Sequence, residues 1–159
     1  MNELVAAMSA IPTRMNEAWN RGDATSFFAD FADDAVFADF EGTIYRGRQE
    51  MIAIHQGIFD TVMKGSRLVQ GDVLFAKILR PGWGVVHHRV GIMLPSEEEP
   101  PPSRRSMQLF VMAWQHNRWE VVALQNSRLL SLEAVAALES MTSAQREHDA
   151  ETNVHEGRR

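Results

Sequence analysis

Asp39, His55 and His88 are the residues of this sequence whose types suit proton transfer. Asp39 stands just ahead of the Glu41-Gly42 turn in an otherwise apolar segment, and a carboxylate that faces an apolar cavity is held nearer the range in which it shuttles protons. The alternative is a turn carboxylate that accepts backbone N–H bonds near Gly42 and Thr43. His55 lies beside Ile54 and one helical turn before Phe59, which suits an acid, a base or a hydrogen-bond donor aimed at a cavity. Its alternative is a ring bonded to backbone beneath the helix. His87 and His88 are adjacent, so on a strand they point to opposite faces. His88 shares its face with Val86, Val90 and Ile92 and is the inward candidate, while His87 and Arg89 suit solvent or a subunit interface.

Aromatic and amide side chains complete the candidate site. Trp19, Phe40, Tyr45 and Trp114 offer the flat apolar surface that a ring-shaped ligand wants, with core packing as the alternative. Asn126 suits an anchor for a ligand, or a buried amide tying strand to helix. Gln108 shares a strand face with Ser106, Phe110, Met112 and Trp114, and the opposite face, Met107 to Ala113, is equally apolar. Two apolar faces on one strand predict that one lines a cavity and the other is buried between subunits, hence a homodimer through the outer sheet faces. No metal is expected, because the sequence has no cysteine and no His-x-His or His-x3-His pair.

The elements that must position these residues follow from periodicity. Leu4, Val5, Met8, Ile11, Met15 and Trp19 recur at helical spacing, predicting a helix over 2–20 that Pro12 kinks or splits. Asp23 caps a second helix reaching about Ala32. Strands over 36–40 and 43–45 form a hairpin, and an amphipathic helix covers 49–63. Four strands follow at 67–79, 83–94, 104–115 and 119–128, joined as a meander, so the sheet is expected to be antiparallel. Ser131 caps a helix over 132–141, and the polar tail, 142–159, is expected to be disordered. One α+β domain over 1–141 results, with helices laid across a bent sheet and a concavity beneath them.

Composition narrows the function classes. The 159 residues carry a formal charge of −5, and their basic residues do not gather into a stripe, so nucleic acid is not an expected partner. No segment approaches the roughly 20 apolar residues that cross a bilayer. Residues 1–10 lack the basic leader of a secretory signal, which together with the absent cysteines predicts a cytoplasmic protein. There is no phosphate-cradling glycine loop, nucleophile elbow or dinucleotide fingerprint, and no cofactor is expected.

Several short runs, taken in order, resemble the SgcJ/EcaC family of SnoaL-like proteins in the nuclear transport factor 2-like superfamily. They are Trp19-Asn20-Arg21-Gly22-Asp23, Phe31-Ala32-Asp33-Asp34-Ala35, Asp39-Phe40-Glu41-Gly42-Thr43, Arg46-Gly47-Arg48 and Trp119 through Ser127. The resemblance implies a cone-shaped curved antiparallel sheet packed against N-terminal helices, a hydrophobic cavity and a homodimer. It places Asp39 where ketosteroid-isomerase-like members hold a general base, and His55 matches a histidine common in the family. It also marks departures: Met15 stands where those isomerases carry a tyrosine, and Gln108 lies on the strand that would carry their second acid. Without an oxyanion donor pair, steroid isomerisation is not expected. The superfamily hosts isomerases, cyclases, dehydratases and pure binding modules, some of them in natural-product biosynthesis. Three readings therefore stand: acid/base chemistry on an apolar or polycyclic metabolite, a non-catalytic binding or sequestering protein, and a dimeric interaction module.

Overall fold

Met8, Ile11, Pro12, Met15 and Ala18 bury one stripe of the first helix, α1 (Glu3–Asn20), against the inner face of a sheet. The computed structural model describes residues 3–142. Pro12 does not split α1. Its ring is fully buried among core side chains, and that packing carries the helix across the backbone bond that proline cannot make. Asp23 does cap α2, accepting from the Ser26 N–H at 3.0 Å. The helix is only Ala24–Phe27, however, not the longer element expected from the aromatic pattern. Phe31 and Ala32 instead begin β1 (Phe31–Ala38), because pairing with a distant strand satisfies their backbone and overrides local helical spacing.

β1 turns back through Asp39–Gly42 into the short β2 (Ile44–Arg46), and Gly42 supplies the left-handed φ of 88° that the turn requires. α3 (Arg48–Asp60) follows, then β3 (Arg67–Arg80), β4 (Trp83–Met93), β5 (Arg105–Gln115) and β6 (Arg118–Arg128). The six strands form one sheet in the order β2-β1-β6-β5-β4-β3. The meander from β3 to β6 is antiparallel as its short turns dictate. β1, however, runs parallel to β6, so the sheet is mixed where the sequence led us to expect an antiparallel one. Its long connection, α3 plus four strands, removes the constraint that short turns impose.

Register shifts interrupt the β3–β4 pairing at three places and the β5–β6 pairing at Val111/Met112. Each bulge bends and twists its strand, and together they curve the sheet around α1 and α3. The inward positions are Val86, His88, Val90 and Ile92 on β4, Ser106, Gln108, Phe110 and Met112 on β5, and Leu124 and Asn126 on β6, all buried. The predicted interior face of β4 is the observed one. Between β4 and β5, the acidic loop folds onto itself, with Glu97 paired to Arg104 and Glu99 to Arg105.

The chain to Leu129 is one compact unit, and the segment from Leu130 is another, described by itself. It carries a helix over 132–142 whose first turn is capped by Ser131, the Ala134 N–H donating to its Oγ at 3.1 Å. The tail expected to be disordered lies, from residue 143 on, outside the described residues. Among the described residues, no helix is long and apolar enough to cross a membrane.

Candidate functional site

Antiparallel register places His88 opposite Gln108, and Gln108 opposite Asn126, so three polar side chains form a row across the inward face of β4, β5 and β6. His88 is 1% exposed, and burial, which disfavours its charged form, holds its pKa below the ordinary imidazole value. The bond to Gln108 and the nearby Asp72 charge only partly oppose that effect. The neutral ring is fully engaged. Its Nδ1 lies 2.8 Å from the Gln108 Oε1, an atom that only accepts, so Nδ1 carries the hydrogen. Its Nε2 then accepts from the Asn16 Nδ2 on α1, at 3.4 Å. Gly71 of β3 lies against this pair, where any side chain would overlap Asn16.

A second group gathers around His55. α3 delivers the imidazole into a cage of Phe28, Phe37, Tyr45, Phe27 and Phe59, with ring centroids 4.7 to 6.3 Å away. Burial lowers its pKa, opposed by the bond to Met51 and by the charge of Asp39. Its Nδ1 donates to the Met51 carbonyl at 2.9 Å, so the bare nitrogen of the neutral ring is Nε2. The backbone bond of the simpler reading is thus present, and it leaves Nε2 as an acceptor.

Asp39 holds the β1–β2 turn. Its Oδ1 accepts from the Glu41 and Thr43 N–H groups at 2.8 and 2.9 Å, and its Oδ2 accepts from the Tyr45 hydroxyl at 3.0 Å. Burial, then the bond to Asp39 and its charge, raise the Tyr45 pKa and keep the phenol protonated. Proton abstraction by Asp39 would require the Tyr45 bond to open.

Of the nine candidate residues, the structure therefore brings Asp39, Tyr45 and His55 into one neighbourhood and His88, Gln108 and Asn126 into a row. No hydrogen bond joins Asp39, His55 and His88 to one another among the described residues. Phe40 stands at the rim, with the Arg128 guanidinium 4.5 Å above its ring. Trp19 packs edge-on against Phe59, and its Nε1 donates to the Ser66 Oγ at 3.0 Å. Trp114 stands apart. It is 43% exposed beside Trp119 at the far end of β5, six residues and thus about 20 Å along the strand from Gln108. Asn16 and Gly71 were not among the candidates drawn from the sequence. A glycine inside a strand is itself a sign of close approach, and that signal was there to be used.

The hydrogen-bond inventory of this face is incomplete. Among the described residues, Ser106 Oγ, Gln108 Nε2 and the Asn126 amide on this face, and His55 Nε2 in the aromatic cage, make no side-chain hydrogen bond, although all four residues are at least nine-tenths buried. The Asn126 Oδ1 and, elsewhere, the Trp119 Nε1 are fully sealed and unpaired. Folded proteins leave few buried polar groups unmatched, and each one left calls for a water, an ion or a ligand. No group of three or more His, Asp or Glu side chains suited to a metal occurs among the described residues.

No protein-family model and no curated protein matches the chain. Among solved structures, it is similar to a domain of unknown function with a cystatin-like fold from Nostoc punctiforme, at 34% identity over 97% of each chain with a TM-score of 0.86. A ketosteroid isomerase-like protein from Erwinia carotovora is 17% identical, over 82% of this chain and 100% of that one, with a TM-score of 0.66. A nuclear transport factor 2-like protein of unknown function from Pseudomonas putida is 14% identical, over 84% and 92%, with a TM-score of 0.71. At these last two identities, the likeness is one of fold: an α+β architecture of helices against a curved mixed sheet.

Proposed function

The chain belongs to the family of the Nostoc punctiforme cystatin-like domain, and on that premise we propose that it binds a small, largely apolar metabolite on the inward face of its sheet, as a SnoaL-like protein of the SgcJ/EcaC kind. The observation that carries this reading is the row of polar side chains, His88, Gln108 and Asn126, buried on that face beside Phe110 and Leu124, with the Gln108 Nε2 and the Asn126 amide making no hydrogen bond among the described residues. An apolar wall with a few convergent polar groups is the usual make-up of a small-molecule site. The shared fold of the ketosteroid isomerase-like protein is in keeping with it, as is a place in natural-product biosynthesis.

Acid/base turnover is the second reading, favoured by one feature, the bare Nε2 of a neutral His55 inside an aromatic cage. One experiment addresses both. The full chain is titrated with N-phenyl-1-naphthylamine, a neutral probe that brightens in apolar sites, beside Ser106→Phe and His55→Phe. Ser106→Phe is expected to abolish brightening while stability changes by less than about 1 kcal/mol, because on this reading its ring takes the space of the ligand. Destabilisation by about 1–3 kcal/mol, the effect of overfilling a packed core, with no brightening in the parent chain, would refute the site. His55→Phe is expected to keep the probe. If a bound metabolite is still converted by this variant, His55 is not its base.

We also propose that two copies pair through the outer sheet face, where Phe75, Val85, Leu109 and Val111 stay partly exposed around His87. Such a surface is apolar enough for a subunit interface. Sedimentation at micromolar concentration is expected to give twice the mass of one chain, and a single-chain species would defeat the pairing.

A further inference from the structure

The end of α1 and the turn that follows α3 enclose a cavity of about 260 Å³, and none of His88, Gln108 and Asn126 lines it. Its apolar side is Trp19, Phe59 and Met63. Trp19 and Phe59 meet edge to face with ring centroids 4.7 Å apart, and the Trp19 Nε1 donates to the Ser66 Oγ at 3.0 Å, so the half-buried indole is fixed in place by the fold itself. Asn20 ties the same wall to β3, its Oδ1 accepting from the Leu68 N–H at 2.7 Å. A surface ordered in advance loses little freedom when a ligand arrives.

Arg21 and Lys64 line this cavity too, and both are exposed. The fold does not claim them: among the described residues, neither makes a side-chain hydrogen bond or an ion pair. Cations near the C-terminal end of a helix often answer its last carbonyls. Here the backbone answers them, the Ala18 carbonyl accepting from the Arg21 and Asp23 N–H groups, the Trp19 carbonyl from Gly22, and the Ile58 carbonyl from Thr61 and Met63. Asp23, whose charge Arg21 feels, is committed to the Ser26 N–H at 3.0 Å. Asp60 is the one acid of the lining among the described residues, and it accepts from the Gln56 Nε2 at 3.0 Å. Two cations and one carboxylate leave a surplus of one positive charge.

That surplus selects among ligands. An ammonium would meet two like charges. A phosphate monoester brings close to two negative charges and sets the second against Asp60. A carboxylate brings one, and both cations can reach it from the rim. The cavity is a little smaller than the ~300 Å³ at which drug-sized sites begin, which suits a body of one or two rings. We infer that this cavity binds a small aromatic carboxylate, its ring against Trp19 and Phe59 and its charge between Arg21 and Lys64. Trp19 thereby has the ligand role that its type suggests, in a cavity that no other sequence candidate lines. The site is independent of the one proposed for the inward face of the sheet.

Calorimetric titration of the full chain with 2-naphthoate and with its neutral methyl ester tests the inference. The parent chain is expected to bind 2-naphthoate about tenfold tighter than a variant carrying Arg21→Gln and Lys64→Gln, while both bind the ester alike. Both side chains are exposed, so this variant keeps the fold, and a second one carrying Arg21→Lys and Lys64→Arg is expected to bind as the parent does. Raising the salt from about 0.05 M to about 0.5 M is expected to weaken the carboxylate and spare the ester. Ser106→Phe, which addresses the inward face, is expected to leave 2-naphthoate binding unchanged. Equal affinity of the parent and the Gln variant for 2-naphthoate overturns the inference, as does the absence of 2-naphthoate binding at millimolar concentration. Loss of that binding in Ser106→Phe also overturns it, and would instead put the carboxylate on the inward face.

Discussion

Lowering the pH from 7.5 to 5.5 is expected to destabilise this protein through two buried histidines. His55 and His88 are both buried, and burial holds each below the ordinary imidazole value of 6.5. The folded chain therefore binds fewer protons than the unfolded chain just below pH 6.5, and stability rises with pH wherever the unfolded state binds more. The histidine contribution is complete above about 6.5, falls as pH drops beneath it and levels off only below the folded values. Each histidine contributes a limiting slope of about 1.4 kcal/mol per pH unit, so the pair approaches about 2.7.

The charged neighbours do not reverse that sign. Asp39, which faces His55, and Asp72, which faces His88, favour the charged rings, yet burial outweighs both. The carboxylates act lower on the scale. Glu120 is pushed up by burial but pulled further down by bonds from Gln115, Arg118 and His116, and bonds from Arg104 and the Leu94 N–H lower Glu97. Their contribution is present above 4.5 and is lost as pH falls through their folded values, so the interval from 4.5 to 6.5 belongs to the histidines. Urea unfolding at pH 7.5, 6.5 and 5.5 reads the slope, and His55→Phe, which keeps a ring in the aromatic cage, is expected to remove about half of it. A midpoint that stays flat across that range would mean that neither ring is held neutral by the fold.

The inward orientation of His88 was legible from the sequence because strand alternation is local: Val86, Val90 and Ile92 mark its face within one element. The meander was legible for the same reason, each turn joining neighbours a few residues apart. What escaped depends on residues far apart in the chain. β1 takes its direction from β6, some 90 positions later, and that pairing cut α2 short. The partnership of His88 with Gln108 depends on the number of residues absorbed by the loop between β4 and β5, which composition does not reveal. Trp114 has the alternation of a cavity residue, but it stands at the end of an 11-residue strand beside the β5–β6 turn, and it is left 43% exposed. Alternation reports the face of a residue, not its depth.

Gly71→Ala is expected to lower stability by about 1–3 kcal/mol, although glycine-to-alanine changes in unstrained strands usually help by about 0.4–1 kcal/mol. Backbone strain is not the reason, since Gly71 is not among the residues with positive φ. The reason is what lies above it. An added Cβ would overlap the Asn16 Nδ2 and sit 3.2 Å from the His88 Nε2. Asn16 must then withdraw, the 3.4 Å bond to His88 is lost, and a bare imidazole nitrogen remains in a core where His88 is 1% exposed. The damage travels through Asn16, so removing that side chain first should spare most of it. Asn16→Ala by itself is expected to destabilise by about 1 kcal/mol, and the double variant by less than the sum of the two, with a coupling of about 1 kcal/mol. Urea unfolding of the four proteins in that cycle measures the coupling. Strict additivity would show that Gly71 is needed for some reason other than its clearance for Asn16.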